Sequence, residues 1–342
     1  MSSIGIRVDS NTAIAMGHLM RCMAVAEALR EKEVKPIFIS ADKFSEGFIL
    51  KRGYEFISLE SDWSCLELEI EKMQQVIKEY SIKVLLVDSY YITERYLSKL
   101  HEYTKIVYID DFGKDIYDID AVICYANYYK EFKLKERYPL GTNVLQGMRF
   151  VPLRKVFSTL PQKEISLKVK ELVVLSGGTD YHNFLWNFTR NILESTLFER
   201  LERVNLICGN YSEQYDKLTK EFAGVRKIHF YKAVDDIEKY MLRADVAISA
   251  AGVTSYELCA AGVPSIIYIV ADNQRKNAET FHKNGLMEYA GDLRYDPVLN
   301  RVIKLLEGKY QDYAYRKETS EMMRREMDGR GAWRIAEEIK IM

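Results

Sequence analysis

Short apolar runs alternate with helix-periodic stretches along the whole chain. Ile4–Val8, Pro36–Ser40, Val84–Val87, Ile106–Ile109 and Ala121–Cys124 are brief, nearly continuous apolar runs, which predict buried strands. Between the first two, Met20–Arg30 carries apolar residues at helical spacing among good helix formers. The middle of the chain, from Glu131 to Pro161, is polar, aromatic and proline-containing, without a clear period. A second series then starts: Leu172–Leu175, Asn205–Cys208, Lys227–Phe230, Val246–Ser249 and Ser265–Ile269 as strands, with helical stretches between them. The last part of the chain is charged and strongly helical.

This βα alternation predicts an α/β protein with parallel sheets. The break near residues 150–165 divides it into two Rossmann-like domains with a central cleft, at 1–155 and 156–342. The final helix would be free to pack back on the first domain. Ligands of such sheets lie beyond the carboxyl ends of the strands, so the polar residues there are the candidates for chemistry.

Composition narrows the classes. With 342 residues, 49 Lys+Arg against 50 Asp+Glu and a net charge of -1, the chain lacks the basic excess of a general nucleic-acid binder. No apolar run approaches the ~20 residues of a membrane span, and the first residues, MSSIGIRVDS, do not read as a signal peptide. Cys22, Cys65, Cys124, Cys208 and Cys259 are scattered and never in CxxC spacing, as expected of reduced thiols in a cytoplasmic protein. No metal site is expected from them.

Five motifs stand at predicted strand ends. In IRVDSNTAIAMGHLMRC, residues 6–22, a strand runs through a polar loop into a helix opened by Gly17 and His18. A helix N-terminus favours anions and disfavours imidazolium, so His18 is a candidate general base beside a phosphate site. Arg7 and Asp9, at the strand end, are candidates to orient water or substrate. VDSYYI, residues 87–92, and YIDDFG, residues 108–113, each end a buried strand in Asp, and Asn127 follows the next strand. Asp110 and Asp111 fit acid–base work, metal binding or simple loop capping. VLSGGTD, residues 174–180, is a strand running into a Gly-Gly turn through which backbone amides could approach phosphate oxygens. It is neither a Walker A nor a GxGxxG sequence.

The longest motif is residues 248–278. A strand runs into the small-residue loop Ser249–Gly252, then a helix from Thr254 with Glu257 in its first turn, then a strand ending at Asp272-Asn273-Gln274. The loop and helix N-terminus suit a diphosphate, Glu257 suits ribose hydroxyls, and Gln274 could reach across.

Taken together, these motifs resemble two-domain nucleotide-sugar enzymes of the GT-B fold, in the group that includes MurG. The segment R-x-D-S…GH-x-x-RC is similar to the PseG/SpsG family, which holds the UDP-2,4-diacetamido-2,4,6-trideoxy-β-L-altropyranose hydrolase of pseudaminic acid synthesis and its spore coat polysaccharide relatives. VDSYYI, IDDFG, SGGTD, the 248–278 block and the GRGAWRIAEEI tail follow that family in order. The resemblance implies removal of UDP by water attack at the anomeric carbon, with inversion and without cofactor or metal. It implies His18 as the catalytic residue with Asp9 and Tyr90 beside the sugar. The substrate contacts it implies are Arg7, Gly17, Arg21 and Asn127, then Gly177, Gly178, Thr179 and Asp180, then Ser249, Ala250, Gly252, Val253, Thr254, Glu257, Gln274 and Asn277. Two positions depart from the family: Ala15 replaces the first glycine of its G-x-G-H loop, and Ser89 stands where histidine is common.

Two other functions fit the same motifs. A GT-B glycosyltransferase would use His18 to deprotonate an acceptor hydroxyl instead of water. A non-catalytic nucleotide-sugar binder would not need His18 together with Asp9. The expected partner in all three is a UDP-sugar, with no nucleic acid and no membrane insertion.

Overall fold

The structure is a computed structural model that describes residues 3–11, 14, 16–177, 180, 182–209 and 212–342. It forms two compact units, residues 1–158 with 329–342, and residues 159–328. The boundary falls at Ser158, and the last helix belongs to the first unit.

In the first unit the strands are β1 (Ser3–Val8), β2 (Lys35–Ser40), β3 (Glu55–Ser58), β4 (Ile82–Asp88), β5 (Lys105–Ile109), β6 (Ala121–Cys124) and β7 (Asn143–Gln146). They form one parallel sheet in the order β3-β2-β1-β4-β5-β6-β7. The central strands are buried on both faces, which is why they read as unbroken apolar runs. The order reverses between β1 and β4, the switch point at which the loops diverge and leave a crevice. There Val8 lies in register with Asp88.

The helix Gly331–Ile341 lies against the helix Gly17–Glu31. Lys32, at the end of the latter, pairs with Glu337 and stands 3.9 Å above the Trp333 ring, while Lys340 Nζ donates to Lys32 O. The start of the last helix makes a second close approach: a Cβ on Gly331 would lie 2.0 Å from the Val151 carbonyl oxygen. The GRGAWR segment therefore needs its second glycine for close backbone approach.

The second unit contains β8 (Glu171–Leu175), β9 (Arg203–Cys208), β10 (Ile228–Lys232), β11 (Val246–Ala250), β12 (Ser265–Ile269) and β13 (Glu288–Asp292). These form a parallel sheet in the order β10-β9-β8-β11-β12-β13. Phe184, Phe188, Leu206, Ile248, Tyr268 and Val302 are among the residues that fill its core. β12 stops at Ile269, so Asp272-Asn273-Gln274 is not a strand end but one turn of 3-10 helix. Among the described residues, no helix is long and apolar enough to cross a membrane.

Candidate functional site

His18 is the second residue of its helix and is nearly buried. Its Nδ1 lies 2.6 Å from Asp88 Oδ1. The β1–β4 register puts Asp88, the last residue of β4, under the loop that leads to this helix. Arg21, one turn further along the same helix face, also grips Asp88, with Nε at 2.6 Å from Oδ2 and Nη2 at 2.5 Å from Oδ1. Its Nη1 donates to both Asp111 oxygens at 2.9 Å and to the Tyr125 hydroxyl. One guanidinium thus ties together the carboxyl ends of β4, β5 and β6.

Burial alone would raise Asp88. The charge of Arg21 and the hydrogen bonds from Arg21 and His18 outweigh it and hold Asp88 well below the usual carboxylate range. An ionised carboxylate only accepts, so Nδ1 of His18 carries the hydrogen. In the neutral ring Nε2 is then the lone-pair nitrogen, and it makes no hydrogen bond among the described residues. Arg21 Nη2, 3.1 Å from the protonated Nδ1, is an electrostatic neighbour of that nitrogen and not its donor. The product is a histidine of fixed tautomer and orientation, able to take a proton at Nε2.

Aromatic rings flank it. Tyr90, half exposed, meets the imidazole edge-on at 4.4 Å and an interplanar angle of 81°, and Phe112 lies 5.0 Å from Tyr90. Among the described residues, a Cβ on Gly17 would meet nothing within 4 Å. Asn127 is buried just past β6.

Arg7 is corrected by the structure. Its guanidinium is fully buried, with Nε and Nη2 on the Glu69 carboxylate at 2.6 and 2.9 Å and Nη1 on Asp9 Oδ2 at 2.5 Å. It presents no exposed surface to a substrate. Asp9 follows it: its other oxygen accepts from the Ala41 backbone N–H at 2.8 Å, so both oxygens have partners within the fold. Of the paired aspartates, Asp111 binds Arg21, whereas Asp110 Oδ1 accepts from the N–H groups of Phe112 and Gly113. No group of three His, Cys, Asp or Glu among the described residues could hold a metal.

In the second unit, β8 and β11 are neighbours with Leu175 opposite Ser249. The loops after these strands therefore leave the same edge of the sheet. Gly177 has φ 82°, and among the described residues a Cβ there would meet nothing within 4 Å. Gly178 and Thr179 lie outside the described residues, as does Ala15. Asp180 is read differently from a ligand contact: its carboxylate accepts from the N–H groups of Phe184 and Leu185 and caps the helix Phe184–Glu194. Burial, opposed by those two bonds, lifts its pKa to about 6.

Beyond β11 the chain turns through Ala250 and Gly252 into the helix Thr254–Ala261, leaving Val253 exposed and Thr254 and Glu257 half-buried. Ser249 is buried and donates to Ala250 O. Gln274 does arrive at this loop: its Nε2 would lie 3.8 Å from a Cβ on Gly252, while its Oε1 accepts from Val270 N at 2.9 Å. Asn277 latches this helix to the loop before it. It is buried, accepts from the Tyr256 hydroxyl at 2.8 Å and donates to Ala251 O at 3.1 Å.

Sequence reasoning placed Asp88 and Asp111 at strand ends but gave Asp88 no role as the partner of His18, paired neither with Arg21, and did not single out Tyr125. The usable signal was topological: a central strand ending in Asp beside β1 at the point where the strand order reverses.

Comparison with known proteins agrees with these two units. Residues 172–328 match the glycosyltransferase family 28 C-terminal domain. The spore coat polysaccharide biosynthesis protein SpsG of Bacillus subtilis is 23% identical over 290 residues, covering 82% of this chain and 81% of that protein. An uncharacterised protein of Methanocaldococcus jannaschii is 23% identical over 293 residues, and the match spans 82% of this chain but only 58% of the archaeal protein. The crystal structure of MurG from Acinetobacter baumannii superposes with a TM-score of 0.68 at 13% identity, over 100% of each chain. The fold is GT-B, with two Rossmann-like units. The chain is related to SpsG, as its motifs imply, and to the glycosyltransferase-like enzymes.

Proposed function

We propose that the protein is a UDP-sugar hydrolase that removes UDP from a 2,4-diacetamido-2,4,6-trideoxy hexose, in pseudaminic acid or related surface-glycan biosynthesis. The observation that carries this reading is the Asp88–His18 pair, which leaves an oriented base at Nε2. In the reaction, Nε2 accepts a proton from water as the water oxygen bonds to the anomeric carbon. The bond from that carbon to the diphosphate oxygen breaks, and its electron pair leaves with UDP. Attack opposite the leaving group inverts the carbon. Arg21 and Asp88 hold the base, and Tyr90 lines its side. In the second unit, the loop Ser249–Val253 and the start of the helix Thr254–Ala261 take the diphosphate, whose charge is stabilised by the helix dipole. Glu257 takes the ribose hydroxyls.

The test is incubation with the UDP-2,4-diacetamido sugar in oxygen-18 water, without acceptor. Release of UDP with label at C1 of an inverted free sugar is expected. Tight binding without release would turn the reading to a glycosyltransferase, in which Nε2 deprotonates an acceptor hydroxyl. The match of residues 172–328 to the family 28 domain favours that second reading.

Two variants probe the division of roles. Asp88→Asn lets an amide N–H face Nδ1 and releases the tautomer, so kcat should fall about a hundredfold with KM little changed. Unchanged kcat would remove Asp88 from the mechanism. Glu257→Ala should weaken UDP binding about tenfold or more, the worth of a charge-assisted hydrogen bond. An unchanged Kd by calorimetry would show that the ribose lies elsewhere.

A further inference from the structure

The second unit contains a cavity of about 360 Å³ that none of the chemistry above uses. It lies between the segment around Gln162 and Lys163 and the helix Tyr313–Glu326, and Lys163, Lys317 and Arg324 line it. Lys163 is only 7% exposed, with Nζ 2.7 Å from Leu242 O and 3.4 Å from Met241 O. Arg324 donates Nη1 to Ala260 O at 2.5 Å and Nη2 to Leu160 O at 3.2 Å. Lys317 is exposed. Backbone carbonyls orient two of these cations, and none of the three pairs with a carboxylate among the described residues. A buried lysine normally has a compensating anion close by, since desolvating an ammonium is costly. Here burial pushes Lys163 down to about 8 against the weaker pull of Asp245 and Glu171.

The remaining lining groups define what else the cavity accepts. Glu321 and Gln162 offer hydrogen-bond acceptors to hydroxyl groups, and Tyr313 offers a ring face. We propose that this cavity is a binding site for a phosphorylated sugar, with the phosphoryl group among Lys163, Lys317 and Arg324, and the hydroxyls on Glu321 and Gln162. Lysine serves a phosphoryl group as a point charge and arginine as a planar fork, so the three cations complement a dianion that a neutral sugar cannot supply. The size is right for a small ligand, at the low end of common pockets. The site is separate from the diphosphate loop. Arg324 and Ser320 touch the far end of the helix Thr254–Ala261, at Ala260 O and Gly262 O, and not its start.

The test uses the full chain and three probes at matched ionic strength: glucose 6-phosphate, glucose and sodium sulfate. Acetylation of Lys163 by a limiting acylating reagent is followed by peptide mass spectrometry, and binding by calorimetry. Glucose 6-phosphate should bind saturably and slow acetylation of Lys163 at least about fivefold, with or without saturating UDP; the other two probes should not. Lys317→Glu, an exposed substitution, should raise the Kd of glucose 6-phosphate at least about tenfold. The proposal is overturned by no saturable binding, by equal protection from sulfate, by loss of protection when UDP is present, or by an unchanged Kd in the variant. The labelling experiment on the wild-type chain decides the matter even if the variant folds poorly.

Discussion

Replacement of His18 by asparagine should lower turnover of the UDP-sugar about a thousandfold, the usual scale for losing a positioned general base. Asparagine can still donate an N–H to Asp88, so the carboxylate keeps a partner and the helix start keeps its anchor. What disappears is the lone pair at Nε2. UDP affinity should stay within about threefold of wild type, since the diphosphate and ribose contacts are assigned to the second unit. Rapid-quench measurement of UDP release, with calorimetry for UDP, separates the two quantities. Equal losses of turnover and UDP affinity would show that His18 holds the nucleotide instead of activating water. A loss of less than about tenfold would remove general-base catalysis from the reading altogether.

The dependence of this base on Asp88 explains what could and could not be read from residues alone. His18 was legible because glycine, histidine and the following apolar period occur within a few positions of each other. Its partner stands 70 positions away, and only the β1–β4 pairing brings the two together. The strands show the same division. β4, β5 and β6 are buried throughout or nearly so and announce themselves as apolar runs. β3, β7 and β13 lie at sheet edges, are partly exposed, and have mixed sequences such as NVLQ and EYAGD that carry no clear period. Polar strand-end residues were the least legible. Arg7, Asp180 and Asn277 have the composition of ligand contacts, but each places its hydrogen bonds within the protein. A residue's type shows that it needs partners; the fold decides whether they are internal.

That distinction has its largest measurable consequence at Arg7. Three charged groups meet under β1: the Arg7 guanidinium, fully buried, and the carboxylates of Glu69 and Asp9. Ser61 and Tyr96 hydroxyls complete the shell of Glu69 at 2.7 and 2.8 Å. Arg7→Met keeps much of the side-chain volume but leaves two carboxylates facing each other without their cation. Removing one partner of a buried pair costs about 3–5 kcal/mol, so the midpoint of urea unfolding at neutral pH should fall accordingly. The sign of the pH dependence identifies the cause. Burial already raises Asp9 against the lowering pull of Arg7, and without Arg7 its folded-state pKa rises further above the unfolded value of about 4. The folded variant then binds more protons than the unfolded chain, and its deficit relative to wild type should shrink as pH falls from neutrality toward the unfolded pKa. A deficit independent of pH would assign the loss to packing instead of charge. Turnover per folded molecule should remain within a few-fold of wild type, because the Arg7 guanidinium bonds Glu69 and Asp9 and not His18, Arg21 or Asp88. A thousandfold loss in fully folded Arg7→Met would return Arg7 to the substrate site from which its burial removes it.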